Sequence, residues 1–171
     1  VLNIFCAKAD CKKENYDFPV GFLGSMVFSW TRKVIRAANN FPQLEISHLG
    51  NFNTKSLSRM KSLFSECSSL RSVDLSKFDV TYVSSFGGLF KGCTSLTSID
   101  LSMWKTNSLN DMSNMFEGCI NLEIFNITGF NADNLKSMKK LFYKTSLNSY
   151  NFSGFNNTIN LEDISYMFAH Y

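Results

Sequence analysis

Apolar residues recur along this chain at a fixed spacing. In the segment 70–95 they fall at Leu70, Val73, Leu75, Phe78, Val83, Phe86, Leu89, Phe90 and Cys93. Val73 and Leu75 flank Asp74, which is the period-two alternation of a short strand. From Val83 onward the steps are three and four, which is the helical period. The pattern therefore predicts a strand, a turn and a helix of about three turns. It repeats in five units: 44–69, 70–95, 96–121, 122–146 and 147–171. Phe64, Phe90, Phe116, Phe142 and Phe168 form one column of equivalent positions. Met60, Phe86, Met112, Met138 and Ile164 form another, and Leu57, Val83, Leu109, Leu135 and Leu161 a third. A single unit cannot bury its own apolar face, whereas stacked neighbours share a continuous core. The expected architecture is an α/β solenoid.

The unit resembles a known repeat. In the third unit Leu96, Ile99, Asp100, Leu101, Ser102 and Trp104 are followed by Leu109, Met112, Met115, Phe116 and Cys119. This order of residues resembles the BspA-like leucine-rich repeat of microbial surface proteins. The resemblance covers 44–171 and has departures: Thr145 and Tyr171 stand where Cys is expected, and His48 and Gly50 replace the Asp and Ser of the strand. It implies a leucine-rich repeat solenoid of five strand-helix units, and a cell-surface or secreted protein associated with adhesion and host contact. No catalytic site comes with the resemblance.

Residues 1–43 lie outside the repeat. Ser25 to Asn40 reads as an amphipathic helix, with Val27, Val34, Ile35 and Ala38 on one face and Arg32, Lys33 and Arg36 on the other. Asn39 and Asn40, followed by Pro42, are a stop signal. The segment is expected to be a helical N-terminal cap. Val1 to Ala9 reads as an ordinary strand rather than the tail of a signal peptide, because a charged leader is missing. At the other end Phe168 and Tyr171 leave an apolar edge, which further repeats or another chain would be expected to cover.

Composition narrows the function. Of 171 residues 44% are hydrophobic and 17 are Phe, enough for a sizeable core. A net charge of +3, from 17 basic and 14 acidic residues, lacks the clustered excess of a nucleic-acid binder. The longest mostly apolar run, Phe22 to Trp30, is far shorter than the roughly 20 residues of a spanning helix, so no transmembrane segment is expected.

Candidate binding residues come from the strands. The residues between the inward-facing ones form three columns on a small, polar sheet face: Ile46, Ser72, Ser98, Ile124 and Ser149, then His48, Asp74, Asp100, Asn126 and Asn151, then Gly50, Ser76, Ser102, Thr128 and Ser153. His48, Ser72, Asp74, Ser98, Asp100, Asn126 and Asn151 are the candidate ligand-binding set. Like charge on the adjacent Asp74 and Asp100 predicts a raised pKa for one of them. Cys6 and Cys11, five apart in a polar segment, are candidates for a disulfide in an oxidising compartment. Cys67, Cys93 and Cys119, spaced by 26, are expected to be buried, reduced thiols. No metal site or cofactor is expected, since Cys6 and Cys11 have no matching second pair of ligands. Asn126, Asn151 and Asn156 begin N-glycosylation sequons.

Nothing in the sequence points to catalysis. His48 reaches only Asp74 across one strand spacing, and no nucleophile, phosphate-loop or zinc-protease motif occurs. An open sheet also lacks the pocket that a catalytic site needs. The expected function is that of a non-enzymatic protein-interaction module, a surface or secreted adhesion protein that takes a protein ligand on its strand face. The alternative is a structural subunit or scaffold, cytoplasmic or organellar, whose C-terminal edge docks on a neighbouring subunit of a large assembly.

Overall fold

The computed structural model describes residues 54–55, 57–147, 152–153, 155 and 157–169. It corrects the expected fold class. Among the described residues there is no helix, and there are two strands of three residues each, β1 (Ser98–Asp100) and β2 (Ile124–Asn126). The chain is therefore not the expected α/β leucine-rich repeat solenoid of five strand-helix units. The helical cap expected over residues 1–43 lies outside the described residues, as do residues 44–53 of the first unit.

The segments expected to be helical are successions of tight turns. In the first unit the N–H groups of Leu63, Ser65 and Cys67 donate to the carbonyls three residues back, those of Met60, Ser62 and Phe64. The N–H groups between them point elsewhere. Those of Ser62, Phe64 and Glu66 donate to the carbonyls of Gly87, Leu89 and Lys91 in the next unit, at 2.9, 2.9 and 2.6 Å. Every N–H from residue 62 to residue 67 is thus satisfied, half within the unit and half across it. The same ladder joins the second unit to the third, the third to the fourth and the fourth to the fifth.

Backbone sign is what excludes an α-helix here. Every fourth residue of these segments has positive φ: Ser62 and Glu66, Gly88 and Gly92, Asn114 and Gly118, Lys140 and Lys144, and Tyr166. Ser62 is the third residue of the turn closed by the Leu63 N–H, and positive φ at that place is the mark of a type II turn. A right-handed helix cannot absorb a left-handed residue every fourth position. The apolar spacing of three and four persists because each turn returns the same side of the chain to the core.

Coils built this way stack side by side with a parallel register. β1 pairs with β2 as Ser98↔Ile124, Ile99↔Phe125 and Asp100↔Asn126, one 26-residue repeat apart. Isolated parallel bridges link Ser85, Asp111, Ser137 and Asp163 at the same interval. The apolar side chains of these coils form one core cluster. The Phe column forms as expected: successive rings from Phe64 to Phe168 stack with centroids 5.1, 5.6, 5.6 and 6.0 Å apart and tilts of 11° or less. Offset stacks of this kind add roughly 0.5–1.5 kcal/mol per pair beyond area burial. A second aromatic row contains Trp104 and Phe130, whose ring planes lie 7° apart. Trp104 is fully buried, and its indole N–H donates to the Leu75 carbonyl at 3.1 Å, so no polar group is stranded. Buried Thr106 serves the same need. Its hydroxyl donates to the Asn131 carbonyl at 3.1 Å and accepts the Asn131 N–H at 2.8 Å.

Candidate functional site

The strand face is built by the alternation that the sequence suggested. Leu75, Ile99, Leu101, Phe125 and Ile127 are buried, while Ser72, Asp74 and Asp100 are exposed and Ser98 and Asn126 half-buried between coils. These five candidate residues share one surface, and Asp100 and Asn126 are direct partners across β1 and β2. His48 and Asn151, the other two, lie outside the described residues. So do Cys6 and Cys11.

Local hydrogen bonds fix the acidic side chains. The Ser76 N–H donates to Asp74 Oδ1 at 2.9 Å, and the Ser102 N–H donates to Asp100 Oδ1 at 2.9 Å. In the fourth coil the Thr128 N–H donates to Asn126 Oδ1 at 3.2 Å. Each is a side chain closing a turn on its own backbone two residues on. The consequence is electrostatic. Asp74 is held below the usual aspartate range by the backbone N–H of Ser76, with help from its hydroxyl. Asp100 is held down by the Ser102 N–H and hydroxyl, and further by the Asn126 side chain. This corrects the expectation of a raised pKa from like charge. Hydrogen bonds to the charged form outweigh the repulsion of two solvated carboxylates, so both remain anionic.

The face also carries apolar contact surface. Ile124, next to Ser98 in the register, is 64% exposed, and Met103 beyond Ser102 is 71% exposed. Met103 fell outside the outward columns because it lies past the strand, where period two no longer applies.

Two features of the turn-bearing segments were not anticipated. The first is the row of Ser85, Asp111, Ser137 and Asp163. The Ser85 hydroxyl donates to Asp111 Oδ2 at 2.7 Å, and the Ser113 and Ser137 hydroxyls lie 2.8 Å apart. The second is a basic and aromatic cluster. Lys140 Nζ sits 5.0 Å from the Tyr143 ring and 5.8 Å from the Tyr166 ring, and Lys144 Nζ sits 5.4 Å from the Tyr143 ring. Both lysines occupy left-handed positions: Lys144 stands where Gly92 and Gly118 do in earlier coils, and Lys140 where Gly88 and Asn114 do. That identity of position across 26-residue registers was the signal that could have marked them.

The three repeat cysteines are buried thiols outside any disulfide. Cys93 Sγ donates to the Phe64 carbonyl and Cys119 Sγ to the Phe90 carbonyl, each at 3.1 Å. Burial pushes both thiols up, Cys119 to about 12, so they are weak nucleophiles and act as small core residues. Among the described residues no group of three or more His, Cys, Asp or Glu is placed to hold a metal ion. No helix among them is long and apolar enough to cross a membrane.

Comparison with known proteins gives a family and nothing closer. No curated protein matches the chain, and no solved structure matches it. One family model matches twice, over residues 30–119 and over 72–171, and its description is "Mycoplasma protein of unknown function, DUF285". The two matches together span well over half of the chain, and the protein belongs to that family.

Proposed function

We propose that this protein is a non-enzymatic binding module of the BspA-like surface type, engaging a macromolecular ligand through its strand face at the cell surface or after secretion. The observation that carries this reading is the pair Asp74 and Asp100. Two carboxylates occupy equivalent positions in neighbouring coils, each locked by a backbone N–H and each held anionic. Side chains that are already ordered lose little entropy on contact, which favours recognition. Exposed Ile124 and Met103 border them and supply desolvation energy that a purely polar face would lack. A ligand suited to this surface presents cationic groups beside apolar ones. The test is binding of the fluorescently labelled full chain to a cultured epithelial cell layer, read by flow cytometry. The double variant Asp74→Arg, Asp100→Arg should lose saturable binding while its melting temperature stays within a few degrees. Undiminished binding of a folded double variant, or no saturable binding of the native chain, would end this reading.

A further inference from the structure

The turn-bearing segment of the fourth coil departs from its counterparts in charge. Lys139, Lys140, Tyr143 and Lys144 carry +3 there. The same four positions are neutral overall in the first coil, where Lys61 and Glu66 cancel. They carry +1 in the second, from Lys91, and −1 in the third, from Glu117. Conformation makes this excess costly. Lys140 and Lys144 have φ of 53° and 57°, in the left-handed region where the second coil places Gly88 and Gly92. Residues held in such conformations against their preference cluster at sites of function.

Geometry concentrates the charge further. Both ammonium groups sit beside one ring: Lys140 Nζ is 5.0 Å and Lys144 Nζ 5.4 Å from the centre of the Tyr143 ring. Two cations beside one ring repel each other, and an anion set between them relieves that repulsion. Glu117 of the preceding coil is already engaged, by Lys91 at 3.0 Å and by the Asn114 amide. Glu162 and Asp163 of the following coil lie 3.6 and 3.9 Å from Lys136 and Lys139, exposed pairs of the kind that hold their charges loosely. An apolar residue borders these cations. Ser146, two residues past Lys144, donates its hydroxyl to the Ile120 carbonyl, and Ile120 is 50% exposed.

We propose that the surface formed by Lys140, Tyr143, Lys144 and Ile120 docks on an anionic phospholipid membrane, with the two lysines on headgroup phosphates. Charge complementarity selects the sign of the partner. The apolar and aromatic members select a bilayer over a dissolved anion or a polyanionic chain. A Tyr ring suits the boundary between headgroups and acyl chains, and lysine stems lie along that boundary with their ammonium groups in water. Interfacial binding rises with buried apolar area and with attraction to anionic lipid, and this surface offers both. It shares no residue with the Asp74 and Asp100 pair, so the docking does not depend on the strand-face reading.

The test is cosedimentation of the full chain with vesicles of phosphatidylglycerol and phosphatidylcholine in equal parts. The chain should sediment with them, less so as sodium chloride is raised, and weakly with phosphatidylcholine alone. The double variant Lys140→Gly, Lys144→Gly installs the residues that the second coil carries at these positions, so its melting temperature should be no lower than that of the native chain. Its vesicle affinity should nevertheless fall about fivefold for each lysine, roughly 25-fold together. Ile120→Ser places at 120 the residue found at 68 and 146 and should weaken binding about threefold or more. Inorganic phosphate matched to the lipid phosphate should leave binding unchanged. No sedimentation with the mixed vesicles, equal binding by the glycine variant, or displacement by inorganic phosphate would overturn the proposal. So would a folded chain that ignores the vesicles and binds heparin, since its partner would then be a polyanionic chain.

Discussion

Replacing Gly118 by Ala separates the turn-built coil from a helical one by the sign of its effect. Gly118 has φ +74°, in the left-handed region. An added Cβ there meets only Gly92 Cα and N, each at 3.8 Å, which is ordinary van der Waals contact. Steric crowding therefore contributes almost nothing, and the backbone conformation decides the outcome. A non-glycine residue in the left-handed region costs roughly 1–2 kcal/mol. Loss of unfolded-state freedom offsets about 0.4–1 kcal/mol of this. The expected result is a net destabilisation of about 0.5–1.5 kcal/mol. If the segment 109–119 were a helix, the same change would instead stabilise by about 1 kcal/mol.

The two outcomes differ by roughly 2 kcal/mol, which a urea titration followed by far-UV circular dichroism resolves. A change of 1 kcal/mol moves the melting temperature of a chain this size by about 2–4 °C. A chemically ligated chain carrying D-Ala at 118 supplies the internal control. D-residues favour positive φ, so that variant should be at least as stable as the native chain. A rise in stability on Gly118→Ala would refute the left-handed turn and restore the helix.

The remaining predictions concern the core, the carboxylates and the thiols. Phe116→Ala removes a fully buried ring stacked on both faces, by Phe90 and Phe142, and should cost about 3–5 kcal/mol; Phe168→Ala, partly exposed, should cost about 1–2 kcal/mol, and equal losses in urea titration would contradict the stacking order. Asp74, Asp79, Asp100 and Asp163 all have pKa values lowered below 3.8 by hydrogen bonds to the ionised form. A lowered folded value means stability that is present above the unfolded pKa and lost as pH falls through the folded one. The urea midpoint should thus be flat from pH 7 to about 5 and fall below about 3.8, and Asp100→Asn should blunt the fall, since Asn126 already closes the same turn without a charge. Cys93 and Cys119 should resist iodoacetamide at neutral pH in the folded chain and react at once in urea; fast native alkylation, read by mass spectrometry, would show that the coil ends open.

What was legible in the sequence was the repeat and the identity of its buried positions. The period of 26, the Phe column and the alternation around Asp74, Asp100 and Asn126 all reflect which side chains face the core, and burial leaves a direct mark on residue type. The conformation between those positions was not legible in the same way. Apolar steps of three and four are shared by a helix and by a chain of i→i+3 turns, because both bring the same side of the backbone round at nearly the same interval. Residues at the left-handed positions held the discriminating signal. Gly88 and Gly92 stand four apart, and Asn114 and Gly118 repeat the interval one coil later. Gly and Asn are the residues that tolerate positive φ, and two such pairs at matched positions are a costly pattern inside a helix. In the fourth coil the same places hold Lys140 and Lys144, and in the first Ser62 and Glu66, which dilutes the signal in any single unit. Those units tolerate the strain because the alternate N–H groups they present are taken by the neighbouring coil at 2.6–3.1 Å. The conformation is thus set by the stack rather than by the unit. A local reading of one repeat favours the helix, and only the column of equivalent positions across repeats shows why the chain turns instead.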